Sequence, residues 1–131
     1  MNYSKSQNAA LLILRMIIAA IFFVAAYGKF PFWSSNPYNL GSFDLNLNRF
    51  LSIAECLGGL AILIGFLTRL TATCLAIIML GAIYYTTYVF HIGFVTPTSA
   101  GWNFPLSVFA GCIILMAFGP GAWSVDSSRN K

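Results

Sequence analysis

Four runs of almost unbroken apolar residues, 9–28, 50–67, 71–90 and 104–119, divide the chain, and Gly, Pro, Asn, Ser and most charged residues collect between them. At ~1.5 Å rise per residue, a helix over each run approaches the ~30 Å hydrocarbon thickness of a bilayer, the fourth being the shortest. The pattern predicts four transmembrane helices. Pro105 fits the start of the fourth, because a proline in the first turn removes an N–H that has no intrahelical acceptor. The fold class that follows is all-α: a single domain over 1–131, an integral membrane four-helix bundle with up-down topology. A secretory leader is the alternative for the first run, since Lys5 precedes it and Val24-Ala25-Ala26 resembles a cleavage site. Arg15 within the run, and the run's length, favour a retained span.

Composition strengthens the membrane reading. Apolar residues make up 59% of the chain and charged residues 8%, against about 25% charged in soluble domains. Mean hydropathy is +0.80. Lipid must therefore cover what polar surface cannot. The basic residues then report orientation: Lys5, Arg69, Arg129 and Lys131 fall on one side of the predicted bundle, and Lys29 and Arg49 on the other. By the positive-inside rule both termini are cytoplasmic. The net charge of +4 is scattered, with no stripe that follows a phosphate backbone, so no nucleic-acid partner is expected.

Two loops remain on the outer side. The segment 29–48 breaks helix with Pro, Asn, Gly and Ser, and carries Phe30, Phe32, Trp33, Tyr38 and Phe43, which prefer the headgroup boundary. It is expected to lie along the membrane surface and cap the bundle. The second loop, 91–103, is punctuated by Gly and Pro.

Candidate chemistry centres on a carboxylate. Cys56, Cys74 and Cys112 all lie within spans and form no C-x-x-C pair, which suits inert apolar thiols; sequence does not establish whether Cys56 and Cys112 pair. One histidine and separated thiols lack metal-ligand spacing, so no metal is expected. Glu55, by contrast, sits inside the second span, where an ionised group costs roughly 2.5–3.5 kcal/mol and normally faces the bundle interior with a partner. Helical steps from it reach Ser52, Gly58, Gly59, Ile62 and Gly65, a polar and small face that lets a neighbouring helix approach. Two readings stand: an ion pair that fixes helix register, or a functional carboxylate. Lys29 and His91 share its depth, whereas Arg15 lies ~12 Å deeper by helical rise and is expected to snorkel to the cytoplasmic interface or to meet Asp126.

Gly81, Tyr84, Tyr88 and His91 follow helical spacing toward the outer end of the third span, and Asn103 and Ser107 do so on the fourth. With Tyr27, Lys29 and Glu55 they are candidate linings of an outward-facing cavity. Interfacial belt positions are the plainer reading of the tyrosines.

Four segments, "AAYGKF" at 25–30, "ECLGG" at 55–59, "GFLTR" at 65–69 and "GPGAWSVD" at 119–126, occur in that order and resemble the DoxX family. The resemblance implies a small four-helix bacterial inner-membrane protein, and gives weight to Arg15, Lys29, Glu55, Gly58, Gly59, Arg69, Gly119, Gly121 and Asp126. Where many relatives carry an acidic or histidine side chain near the outer ends of helices one and four, this chain has Tyr27 and Asn103. Some relatives are similar to the membrane subunit of a thiosulfate:quinone oxidoreductase, and others are linked to thiol and oxidative stress. The expected function is a small membrane subunit or accessory of a redox system. Quinone is its candidate cofactor, contacted by Glu55, Tyr84, Tyr88 and His91. The expected partners are the lipid bilayer, a redox protein and further copies of the chain. No Rossmann glycine pattern, haem-attachment motif or Fe–S cysteine set is present, so a non-catalytic subunit is expected over a stand-alone oxidoreductase. The alternatives are an oligomeric transporter of a small molecule or proton, and an assembly protein without ligand.

Overall fold

The computed structural model describes residues 3–36 and 39–129. Tyr38, Lys131 and the Arg129 side chain, which entered the loop and orientation expectations, lie outside them. The elements are α1 (Lys5–Lys29), a 3-10 turn (Phe30–Trp33), α2 (Ser42–Ile64), α3 (Thr68–Tyr84) continued by a π turn (Tyr85–Val89), α4 (Asn103–Phe118) and a short α5 (Val125–Arg129). No strand forms among the described residues; Val95 and Ala100 make one isolated bridge.

α1 begins at a capping box. The Gln7 N–H donates to Ser4 Oγ at 3.2 Å, and the Ser4 N–H donates to Gln7 Oε1 at 2.8 Å, so two otherwise orphaned donors are satisfied reciprocally. α2 starts eight residues before the apolar run that predicts it, at Ser42 rather than Phe50. Asp44 favours a helix start by complementing the dipole in the first turn, and the Tyr85 hydroxyl donates to its carboxylate at 3.4 Å. The connection after α1 is correspondingly shorter than expected. Its start packs on the bundle, with Phe32 buried and Trp33 bonded to α2.

α2 ends in a Schellman turn: Gly65 has φ +75°, the Phe66 N–H donates to Ala61 O at 2.9 Å, and the Gly65 N–H donates to Ile62 O at 3.2 Å. A side chain at Gly65 is excluded twice, by the left-handed backbone and by Ser124, against whose Cβ an added methyl would collide. Gly65→Ala is therefore expected to cost at least about 1–2 kcal/mol, read as a lowered melting temperature of the detergent-solubilised protein.

α1 packs most extensively on α2 and α3 on α4, and the α2–α3 and α1–α4 contacts close the bundle. Leu11, Ile18 and Phe22 of α1 meet Ile62 of α2, Leu75 and Met79 of α3, and Val108, Cys112 and Leu115 of α4 in one core. Gly58 admits Leu75, and Gly59 admits the Phe23 ring. The opposite helix faces expose Ile13, Ile17, Val24, Leu57, Leu60, Ile77 and Leu80, an arrangement suited to hydrocarbon rather than water. α1 with its 3-10 turn, α2, and α3 with its π turn are each long and apolar enough to cross a membrane. α4 is apolar but has only 16 residues, about 24 Å of helix.

The π turn was not foreseen. The Phe90 N–H donates to Tyr85 O and the Ile92 N–H to Thr86 O, both at 2.9 Å, and His91 takes a left-handed φ of +55°. The widened turn rotates whatever follows it, so the regular spacing that placed His91 on one face with Gly81, Tyr84 and Tyr88 does not hold to the end.

Candidate functional site

Two polar clusters lie at opposite ends of the bundle. At the loop end, Lys29 closes α1 and Glu55 faces it from α2. Lys29 Nζ donates to Glu55 Oε2 at 3.0 Å and Oε1 at 3.3 Å, with a further bond to Ala25 O at 3.4 Å. The carboxylate side chain is only 3% exposed, and the lysine 22%. One turn toward the loop, the Trp33 indole N–H donates to Ser52 Oγ at 2.8 Å, and Ser52 Oγ donates to Arg49 O at 2.6 Å. Arg49 Nε donates to Phe32 O at 2.8 Å. Residues 29–33 are thereby latched to α2 at three successive levels, Arg49, Ser52 and Glu55. Of the two partners predicted at the depth of Glu55, Lys29 makes the pair; His91 is exposed beyond the π turn.

At the other end Arg15 departs from expectation. It neither snorkels nor takes Asp126 as a hydrogen-bond partner. It is 1% exposed, and its guanidinium donates to four backbone carbonyls: Nε to Ile62 O at 3.0 Å, Nη2 to Leu63 O at 2.8 Å, and Nη1 to Pro120 O at 2.8 Å and Trp123 O at 2.9 Å. Ile62 and Leu63 belong to the last turn of α2, where no helix continues to bond the carbonyls and Ile62 O takes the Gly65 N–H of the Schellman turn instead, and a cation at that end also opposes the helix dipole. A planar fork with five N–H donors suits such a cage. Asp126 adds attraction from a longer distance.

The Asp126 carboxylate is used elsewhere. It accepts the Leu67 N–H on Oδ1 and the Thr68 N–H on Oδ2, both at 2.8 Å, and the Asp126 N–H donates to Gly65 O at 2.9 Å. Asp126 thus caps α3 from 58 residues away, at a helix start where Leu67 itself offers no side-chain acceptor. Two more ties hold the strap that leads from α4 to Asp126: Ala122 N–H to Asn8 Oδ1 at 2.9 Å, and, at the end of α4 itself, the Tyr3 hydroxyl to Phe118 O at 2.8 Å. Asp126→Ala is expected to cost about 1–2 kcal/mol, the worth of a helix cap, and to speed proteolysis after Phe118. Arg69 is exposed and lies against Gly119, whose φ is +76°.

The remaining predicted cavity residues are not drawn together. Tyr27 is 75% exposed, Tyr84 57% and Tyr88 67%. The Tyr84 and Tyr88 rings touch each other at 5.4 Å between centroids, while Asn103 accepts the Gly101 N–H and Ser107 bonds back to Asn103 O. A cleft of about 250 Å3 lies at the opposite end, lined by Tyr3, Gln7, Ala10, Leu11 and Phe118. The three cysteines are free thiols. Sequence reasoning passed over Asn8 and gave Ser52 and Trp33 no bonding role. Only Ser52 carried a signal, its place on the Glu55 face.

No solved structure matches the chain. Among curated proteins, the inner membrane protein YqjF of Escherichia coli (strain K12) is 30% identical over 130 residues, covering 97% of both chains. The DoxX family model matches residues 10–92, which takes in Arg15, the Lys29–Glu55 pair and the Schellman turn. These matches, joined to a helical fold with membrane-length apolar elements, show that the chain belongs to the DoxX family.

Proposed function

We propose that this inner-membrane protein is a small non-catalytic subunit or accessory of a larger redox assembly, with both termini and the α2–α3 turn on the cytoplasmic side. One observation carries the non-catalytic part: Arg15 and Glu55, the buried charged side chains among the described residues, are both engaged in holding helices together. A group acting as proton carrier or nucleophile must face a substrate, and these face backbone carbonyls and Lys29. The redox class rests on the sequence resemblance. The orientation rests on the excess of Lys and Arg at the end that gathers Lys5, Arg69 and the C-terminal segment.

Quinone contact, in this reading, belongs to the assembled complex. Tyr84 and Tyr88 offer exposed aromatic rings for such a contact, but Glu55 is tied to Lys29 and is not free to serve a quinone oxygen. A homo-oligomeric carrier gains little support, since Arg15 and Glu55 face the interior of a single bundle.

The test is to tag the chain, extract it from native membranes in a mild detergent, and size it while assaying reduction of a soluble quinone analogue by thiosulfate or a thiol. Migration with a larger complex that carries the activity, together with inactivity of the isolated chain, is the expected result. An isolated chain that catalyses the reduction, or one that migrates only with copies of itself, overturns the proposal.

A further inference from the structure

Among the described residues, Arg49 is a firmly held cation at the loop end with no carboxylate paired to it. Its Nε is fixed on Phe32 O at 2.8 Å, and its guanidinium carbon stands 5.8 Å from the centre of the Trp33 ring. Trp33 is itself pinned through its indole N–H to Ser52. The guanidinium is therefore oriented by two contacts rather than waving on a flexible stem. Its two terminal nitrogens have no hydrogen-bond partner among the described residues. The carboxylates along the same helix are already engaged, Asp44 by the Tyr85 hydroxyl and Glu55 by Lys29. The guanidinium thus holds four N–H donors open to an acceptor beyond the described residues.

The surroundings identify that acceptor. Phe30, Trp33, Phe43 and Phe50 are 45–73% exposed around this level, and aromatic side chains held out from a membrane helix mark the headgroup boundary. The anion present at that depth in quantity is the phosphodiester of a phospholipid. Its paired oxygens match the parallel N–H donors of a guanidinium fork, a geometry that a lysine ammonium does not reproduce.

We infer that Arg49, seated on Trp33 and Phe32, is a binding site for one phospholipid headgroup phosphate at the loop end of the bundle. The bound lipid supplies the counter-charge that the chain does not, and its tails lie along the exposed face that includes Phe50 and Ile53 of α2.

Native mass spectrometry of the full chain, released from mixed micelles with one lipid at a time, tests the site. Phosphatidylethanolamine and phosphatidylglycerol share the phosphodiester; a glucosyl diacylglycerol with the same tails lacks it. Wild-type protein is expected to retain one more phospholipid than glycolipid. Arg49→Gln and Arg49→Lys are both expected to lower that occupancy by about tenfold, the loss of one bidentate charged contact. Arg69→Gln, which changes an exposed arginine at the other end, is expected to leave it unchanged. Equal retention of glycolipid and phospholipid by wild-type protein overturns the assignment without recourse to any variant. So does Arg49→Gln retaining wild-type occupancy, or Arg69→Gln losing as much. A melting temperature raised equally by inorganic phosphate and by phospholipid places a soluble anion at the site instead and also overturns it.

Discussion

Arg15→Met is expected to lose the native bundle, or to leave it at least about 3–5 kcal/mol less stable, the range for removing one partner of a buried charged network. Methionine fills a similar volume but presents no donor. The carbonyls of Ile62, Leu63, Pro120 and Trp123 would then lose the donors that the guanidinium supplies, Ile62 O keeping the Gly65 N–H. Arg15→Lys separates charge from geometry. An ammonium keeps the attraction to the α2 C-terminus but offers three donors for four acceptors, so its melting temperature is expected to fall between those of wild type and Arg15→Met. A melting temperature for Arg15→Lys equal to wild type would show that charge alone suffices and that the fork is unnecessary.

The second large effect is expected at the Lys29–Glu55 pair, and it is asymmetric. Lys29→Met strands a carboxylate that is 3% exposed, whereas Glu55→Gln leaves an ammonium that is 22% exposed and carried on a flexible stem able to reach the interface. The lysine substitution should therefore cost more, about 3 kcal/mol against about 1 kcal/mol, since an unpaired charge costs most where water cannot reach it. Combining the two substitutions should recover part of the loss, with a coupling of about 1–2 kcal/mol in a double-mutant cycle on melting. Additive single effects would remove the pair from the list of contacts that hold α1 to α2.

The sequence made the helices legible where their stability comes from an apolar face, as in α1, α3 and α4. It hid the first two turns of α2, because Asp44, Asn46 and Asn48 read as loop residues; those turns are helical through contacts made far along the chain, Tyr85 on Asp44 and Arg49 on Phe32. The Lys29–Glu55 pair was legible because two opposite charges at one depth in an apolar medium have few other partners. The Arg15 cage was not, since its acceptors are backbone carbonyls, which every residue carries alike. The same applies to the cap on α3: Asp126 signals a carboxylate, but nothing in its neighbours says that it will bond N–H groups near residue 68. The π turn escaped for a third reason, that a five-residue hydrogen bond leaves no recognisable pattern of side chains.

The strap from Gly119 to Asp126 has a consequence for how the protein is made. Translation proceeds from the N-terminus, so α1, α2 and α3 enter the membrane with Arg15 uncaged and the α3 start uncapped, and both wait for a segment synthesised more than 50 residues after α3 begins. A ribosome that stalls after α4 releases a product whose helices are inserted but whose guanidinium has two carbonyls instead of four. Such a fragment lacks two of the four acceptors that hold Arg15. The strap thus ties the stability of the first helix, and of the α3 start, to residues made after the fourth.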